Sequence, residues 1–143
     1  MADGDAPRLT ASLAMNLVAA GREAQRRIED ALAPHGLTLR HLGALGHLAR
    51  RPDLSYSDLA RRSGITAQSM HATVRLLQEA GAVADSPVER GRRARLEVTA
   101  RGRELLDEVA AALDRIDADL LDGLTAQQQT TVRDFTRSLL PFP

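Results

Sequence analysis

The chain has 143 residues, and its 19 basic and 19 acidic side chains give a formal net charge of zero. This length fits a single domain, which can bury roughly 68–70% of the surface that its unfolded form exposes. Cysteine is absent, which excludes disulfides, thiolate metal sites and thiol redox sensing. The first residues lack the apolar run of a signal peptide, and no stretch approaches the roughly 20 apolar residues of a membrane span. We therefore expect a soluble cytoplasmic protein.

The basic charge is concentrated in the middle of the chain. Residues 1–39 carry four arginines and five acidic residues, residues 40–103 carry twelve and six, and residues 104–143 carry three and eight. The middle segment therefore has a net charge of +6 between acidic ends. Clustered basic charge favours binding to phosphates. All 19 basic residues are arginine, a chain-wide preference that fits a genome rich in G and C and says nothing about a local role.

Helical periodicity begins near the amino terminus. Apolar residues recur every three or four positions from Leu9 to Leu32, which predicts a helix over 7–33 that ends at Pro34. Such a helix is about 40 Å long. One small domain cannot cover that length, so we expect part of the apolar stripe to meet another chain.

A second helix is predicted over residues 39–51. Thr38 is its candidate N-cap and Pro52 its terminator. Gly43 and Gly46 lie within it, and their spacing indicates either close backbone packing or space left for a ligand.

Residues 55–83 have the pattern of a helix-turn-helix. Ser55 and Asp58 resemble a capping box that starts a short helix, and Gly64 fits a tight turn because glycine tolerates positive φ. Thr66 can then cap a third helix that runs to about residue 80.

Over residues 82–99 the apolar residues no longer recur every three or four positions but alternate with polar ones. Val83 begins one predicted strand, and Leu96 and Val98 share one face of the other. The charged segment between them suits an exposed hairpin tip. A hairpin after a helix-turn-helix is a wing.

Two more helices are predicted at the carboxyl end. Thr99 caps a long helix over 100–122, which Gly123 breaks. Thr125 and Gln128 form a second candidate capping box, which opens a last amphipathic helix.

The helix after the turn is predicted to have one apolar and one polar face. Met70, Val74 and Leu77 are spaced to pack inward, which places Gln68, His71 and Arg75 on the opposite side with Ser69 and Ala72 beside them. The outer face has the chemistry to read a DNA major groove, because glutamine can pair with adenine and arginine with guanine. The alternative is an ordinary amphipathic helix with a solvated polar face.

Four arginines lie at the predicted hairpin tip, at positions Arg90, Arg92, Arg93 and Arg95. A tip of this kind can enter a narrow minor groove, which attracts arginine. The alternative is a solvated charge cluster that Glu89 and Glu97 partly offset.

Residues 37–103 resemble the winged helix of the multiple-antibiotic-resistance regulator (MarR) family. LEVTARGREL, residues 96–105, is similar to the family's Leu-Thr-x-x-Gly at the exit from the wing, and LARRSGITAQSMHATVRLLQEAGAV is similar to its helix-turn-helix. The resemblance implies a mainly α fold with a small β-hairpin wing, in the α+β class. Residues 1–36 and 100–143 would be dimerisation helices around a DNA-binding region, 37–99, all in one structural unit.

The implied function is a transcriptional regulator, with repression favoured over activation, that binds a pseudo-palindromic operator in double-stranded DNA as a homodimer. Carried over to this chain, the resemblance places Thr66, Gln68, Ser69, His71 and Arg75 at the major groove and Arg92 at the wing tip. Two positions depart from the family pattern. Arg90 stands where the family usually has an aspartate, and Asp85 stands where a basic residue is common and would repel phosphate if it pointed outward.

The resemblance also implies a ligand cleft lined by the first, second and fifth helices, with Met15, His41, Leu45 and Leu113 as candidates. His41 could pair with a carboxylate or phenolate, although a lone histidine is more often a surface or capped residue. His47 is predicted to lie on the surface. A small aromatic or lipophilic effector is compatible with this cleft, and so is no effector.

Two other classes compete with the regulator. An enzyme could have taken over the scaffold's pocket, or the protein could be an interaction module that no longer binds DNA. The sequence contains no His-Glu-x-x-His, no Ser-His-Asp order and no phosphate-cradling glycine loop. We therefore predict no catalytic residues, no cofactor and no metal site.

Overall fold

The computed structural model of the chain describes residues 11–86 and 95–140. It has six α-helices, one 3-10 turn and a two-stranded antiparallel hairpin. The elements in chain order are α1 (Leu13–Leu32), a 3-10 turn (Ala33–His35), α2 (Leu39–Arg50), α3 (Tyr56–Ser63), α4 (Ala67–Glu79), β1 (Val83–Asp85), β2 (Leu96–Val98), α5 (Ala100–Leu120) and α6 (Ala126–Ser138). The predicted fold class, a helical protein with a small wing, is confirmed.

The helix-turn-helix is fixed by local caps. Ser55 Oγ accepts a hydrogen bond from the backbone N–H of Asp58 at 3.1 Å and so starts α3. Thr66 Oγ1 accepts one from the N–H of Ser69 at 3.1 Å and starts α4. Gly64 joins the two helices with φ of 66°, a value that side-chain-bearing residues adopt rarely. Both predicted caps and the predicted turn are confirmed.

One apolar core joins the winged helix to the long helices. Leu45, Leu59 and Met70, from α2, α3 and α4, are fully buried in it. The same cluster includes Leu32 at the end of α1 and Leu105 in α5. Helix α4 is therefore packed on a rigid support, because close-packed interiors leave little room for rearrangement.

The wing and α5 meet at a close backbone contact. The hairpin pairs Val83 with Val98 at its base. Thr99 then donates its N–H to the carbonyl of Ala82 at 3.0 Å and its hydroxyl to the carbonyl of Gly81 at 2.6 Å. The same hydroxyl oxygen accepts the N–H of Gly102 at 3.0 Å, which caps α5.

Gly102 lets this contact form. A Cβ atom at this buried position would collide with the carbonyl oxygen of Ala82 and would lie 2.8 Å from Cγ1 of Val98. The glycine of the Thr-x-x-Gly pattern is thus needed for the approach of α5 to the base of the wing.

The predicted helix over 7–33 begins later than expected. Ser12 has extended backbone angles, φ −71° and ψ 125°, so α1 starts at Leu13, and residues 7–10 lie outside the described part of the chain. The predicted end is confirmed, since α1 stops at Leu32 and the turn that follows contains Pro34 and closes on Gly36 with φ of 66°.

The expectation of close backbone packing at Gly43 and Gly46 is wrong. A Cβ atom at either position would meet no other atom within 4 Å. The second expectation, space beside α2, is the one that the structure supports.

The first turn of α2 is capped by a histidine. The N–H of Thr38 donates to Nδ1 of His41 at 3.0 Å, and the Thr38 hydroxyl lies 2.9 Å from the same nitrogen. Because a backbone N–H can only donate, Nδ1 is the acceptor and the ring hydrogen lies on Nε2. Burial, and then the charge of Arg40, lower the pKa of His41. The neutral ring that the cap requires is thus the favoured form.

Apolar side chains at both ends of the chain lie exposed. They are Leu13, Met15 and Val18 on α1, Leu120 on α5, and Val132, Phe135, Leu139 and Leu140 at the carboxyl end. No helix within residues 11–86 or 95–140 is long and apolar enough to cross a membrane.

Gly102→Ala is expected to lower the free energy of unfolding by about 1–3 kcal/mol, because the added methyl group overpacks the contact with Ala82. Gly46→Ala is the matched control. It adds the same methyl group in open space within a helix and should be neutral or stabilising by up to ~1 kcal/mol. Urea unfolding of the two variants at one protein concentration measures the difference. Equal effects of the two substitutions would contradict the proposed role of Gly102.

The histidine cap makes part of the stability depend on pH. The folded-state pKa of His41 lies below its ordinary value of 6.5, so the unfolded chain binds more protons. The stabilisation from neutral His41 is therefore complete above about pH 6.5 and is lost as the pH falls through the folded-state pKa. In His41→Gln, the amide can accept from the Thr38 N–H as in an ordinary capping box, and it does not titrate.

Urea unfolding between pH 8 and pH 5 should give a smaller loss of stability for His41→Gln than for the wild type. The pKa of His47 is also lowered, so some pH dependence is expected to persist. His41→Ala, which removes the cap, should be less stable by about 1 kcal/mol even at pH 8. An unchanged pH profile in His41→Gln would refute the titrating cap.

Candidate nucleic-acid interface and cleft

The two faces of α4 are separated as the sequence predicts. Met70 and Val74 are fully buried against α2 and α3, as is Leu77 further along the helix. Gln68, His71 and Arg75 are exposed on the other side. An amide, an imidazole and a guanidinium thus project from a helix whose inward face is fixed in the core.

The amino end of α4 carries a small hydroxyl pair. The Thr66 hydroxyl donates to Oγ of Ser69 at 3.0 Å while its oxygen accepts the Ser69 N–H. Thr66 is exposed and Ser69 is half-buried. Both predicted residues therefore lie at the start of the helix, where recognition helices present their first side chains to DNA.

His71 is stacked on an aromatic ring of α3. The ring centroids of Tyr56 and His71 lie 4.3 Å apart with an angle of 19° between the planes. Burial, and then the nearby carboxylate of Asp85, raise the pKa of the Tyr56 phenol, so the phenol is neutral. No sequence motif points to Tyr56, although it is the one tyrosine in the chain.

The described part of the wing includes one of its four predicted arginines. Arg95 is exposed, and its carbonyl accepts the N–H of Ser86 at 2.6 Å, which extends the hairpin beyond its three paired positions. Asp85 is exposed on β1. The other three candidates, Arg90, Arg92 and Arg93, lie outside the described residues.

An open cleft of about 860 Å³ lies between α1, α2 and α4. Its polar lining comes mainly from α1 and α2. Leu39, Ile65 and Leu76 supply apolar surface, and Ser69, Ala72 and Thr73 supply the edge of α4 that faces the cleft. The polar groups from the other elements are Gln25, Glu29, Thr38, Arg40, His41, His47 and Ser63.

The cleft offers several hydrogen-bond donors. His41 presents Nε2–H, which has no hydrogen-bond partner among the described residues. The pKa of His47 is lowered by burial and then by the charges of Arg50 and Arg62. The hydroxyl of Ser63 is buried and makes no hydrogen bond within the described chain. Glu29 is the one acidic residue in the lining, and its carboxylate accepts from Nε2 of Gln25 at 3.0 Å.

Of the four predicted cleft residues, His41 lines this cleft. Leu45 is fully buried in the core, Leu113 is half-buried against it, and Met15 is exposed near the start of α1. These three residues do not line the cleft. The cleft lies between α1, α2 and α4, whereas the sequence predicts a cleft lined by the first, second and fifth helices. His47, predicted to lie on the surface, is half-buried in the lining.

Comparison with known proteins supplies the remaining evidence. The MarR family model matches residues 35–94. The HTH-type transcriptional repressor Rv2887 of Mycobacterium tuberculosis (strain ATCC 25618 / H37Rv) is 39% identical over 130 residues, which are 90% of this chain and 91% of that repressor.

Solved structures of Mycobacterium tuberculosis Rv2887 share the fold. Its complex with DNA superposes with a TM-score of 0.75 at 35% identity and covers 90% of this chain and 97% of that one. Its complex with salicylic acid gives 0.72 at 36% identity, over 90% and 96% of the two chains. Similarity of this degree over nine tenths of the sequence establishes that the chain belongs to the MarR family.

Proposed function

We propose that the protein is a transcriptional repressor that binds pseudo-palindromic DNA as a homodimer and releases it when a small aromatic or lipophilic ligand enters the cleft. The outward face of α4 carries this proposal. Gln68, His71 and Arg75 project together from a capped, core-anchored helix, and the similar repressor Rv2887 has been crystallised with DNA. The relatives are regulators, and we propose no catalytic role.

In this proposal α4 and the wing contact different parts of the DNA. Gln68, His71 and Arg75 reach base edges in the major groove, and Thr66 and Ser69 lie where α4 enters it. Arg95, together with Arg90, Arg92 and Arg93, reaches the adjacent minor groove or its phosphates.

The exposed apolar residues of α1 and α6 support a homodimer. Phe135, Leu139 and Leu140 lie on the carboxyl-terminal side, with exposed fractions of 40%, 54% and 62%. A second copy that covers these residues would place two α4 helices on successive major grooves, which requires a separation of about 34–36 Å.

The cleft supports a ligand response because it lies against the inner edge of α4. Rv2887 has been crystallised with salicylic acid and with p-aminosalicylic acid. In this chain, Arg40, the Nε2–H of His41 and the Ser63 hydroxyl could donate to a carboxylate, and Leu39, Ile65 and Leu76 could contact a ring. A tenfold loss of DNA affinity requires about 1.4 kcal/mol of preference for the released conformation.

The DNA interface is tested with a duplex that the wild-type protein selects from a random pool, beside a scrambled duplex of the same composition. Arg75→Ala should weaken binding to the selected duplex by about 1–3 kcal/mol, because one base contact is lost. Arg115→Ala, on the acidic α5, is the control and should bind like the wild type. Fluorescence anisotropy gives the affinities, and sedimentation should give two chains per duplex. Equal wild-type affinity for both duplexes would overturn the proposal.

The ligand response is tested with salicylate as the probe. Salicylate should release the selected duplex from the wild-type protein. Glu29→Gln removes the one carboxylate of the cleft lining, so salicylate should act at a concentration lower by about two- to fivefold, as expected for a partly solvated charge pair. Asp114→Asn, on the exposed surface of α5, removes the same charge elsewhere and should have no effect. DNA that stays bound at millimolar salicylate would contradict a response to this ligand class.

A further inference from the structure

Tyr56 and His71 join the two helices of the helix-turn-helix on its outward side. Their rings are nearly parallel, with centroids 4.3 Å apart. Tyr56 is the first residue of α3, directly after the Ser55 cap, and it packs against the apolar core. The tyrosine ring is therefore held from below while the imidazole above it is exposed.

The stack restricts the orientation of the imidazole through the face of the ring and not through hydrogen bonds to its nitrogens. Neither ring nitrogen of His71 has a hydrogen-bond partner within residues 11–86 and 95–140. One face of the ring is covered by Tyr56, so the polar edge is left for an external partner. A side chain that is ordered before binding loses less conformational entropy when it binds.

The neighbours of His71 on α4 favour a base edge as that partner. Gln68 and Arg75, exposed on the same face of the helix, are side chains that read base edges in a major groove. Within that face, N7 or O6 of guanine can accept from an imidazole N–H.

We propose that Tyr56 is a positioning residue for sequence readout, whose ring orients His71 so that the imidazole edge meets a base in the major groove. The proposal rests on the DNA interface proposed above. It predicts that the loss of Tyr56 reduces discrimination between sequences more than it reduces affinity for DNA in general.

The experiment uses the full-length protein with the selected and scrambled duplexes. The variants are Tyr56→Leu, which removes the ring, Tyr56→Phe, which keeps the ring and removes the hydroxyl, His71→Ala, and the double variant Y56L/H71A. Anisotropy titrations over a range of salt give the ratio of the two affinities and the salt slope, and thermal melting reports folding. Tyr56→Met serves as a second variant without a ring if Y56L does not fold.

Y56L is expected to lower the affinity ratio by about two- to tenfold, the range of an aromatic pair, and Y56F should stay within about twofold of the wild type. The salt slope should not change, because no phosphate contact is lost. In the H71A background, Y56L should have no further effect on the ratio.

Four results would overturn the inference. A loss in Y56F as large as in Y56L would assign the effect to the hydroxyl. Equal losses on both duplexes, with a lower melting temperature, would assign it to packing of α3. Additive effects of Y56L and H71A would show that the rings act independently. If the wild type itself does not discriminate, the proposed function fails as well, whereas an affinity ratio in Y56L equal to that of the wild type overturns the inference alone.

Discussion

The contact between the start of α5 and the backbone at Gly81 and Ala82 holds the DNA-facing half of the molecule to the helical half. The backbone N–H of Thr99 donates to the carbonyl of Ala82, its hydroxyl donates to that of Gly81, and the hydroxyl oxygen accepts from the N–H of Gly102. One residue therefore both closes the base of the wing and caps α5. The contact leaves no space for a Cβ atom at Gly102. Because α4 ends at Glu79 and its C-terminal turn leads into Gly81, the end of the recognition helix, the wing and α5 are tied at one point. Their relative orientation is thus set by a few hydrogen bonds and by the absence of one methyl group.

This contact fixes the carboxyl end of α4. The amino-terminal half of the helix lies between the cleft on one side and the outward surface of the protein on the other. Ser69 is bonded to the cap of the helix and also lines the cleft, and Ala72, Thr73 and Leu76 continue that edge. The outward residues lie on the adjacent face of the same turns. A ligand that enters the cleft would therefore contact the backbone element that presents Gln68 and His71. In the proposed function, the route from the cleft to DNA crosses only the width of α4.

Features that depend on a few neighbouring residues could be predicted from the sequence. The caps at Thr38, Ser55, Thr66, Thr99 and Thr125 and the turn at Gly64 all lie where the pattern places them. The predicted start of α1 is wrong. The apolar repeat extends back beyond Ser12, but the backbone at Ser12 is extended and not helical. The particular side-chain contacts between separate helices could not be predicted in this way. The stack of Tyr56 on His71 joins two helices, and the lining of the cleft combines His47 with Ser63 and Thr73. The Thr-x-x-Gly pattern is visible in the sequence. The reason for its glycine is the close approach of the Ala82 carbonyl, which lies twenty residues earlier in the chain.

The uneven distribution of charge along the chain corresponds to different parts of the structure. Several arginines outside the helix-turn-helix lie against carboxylates: Arg26 against Glu23 and Asp30, Arg101 against Glu104 and Glu108, and Arg133 against Asp117. These pairs are exposed, so each contributes little to stability. Arg26 and Arg133 lie in segments whose net charge is negative, and their ion pairs neutralise positive charge there. Arg101 lies at the end of the basic segment and pairs with two carboxylates of the acidic one. A phosphate backbone is then repelled by the acidic α5 and attracted by the basic middle of the chain. Zero net charge therefore does not weaken the case for DNA binding, since the asymmetry favours an encounter in which α4 and the wing approach the duplex first.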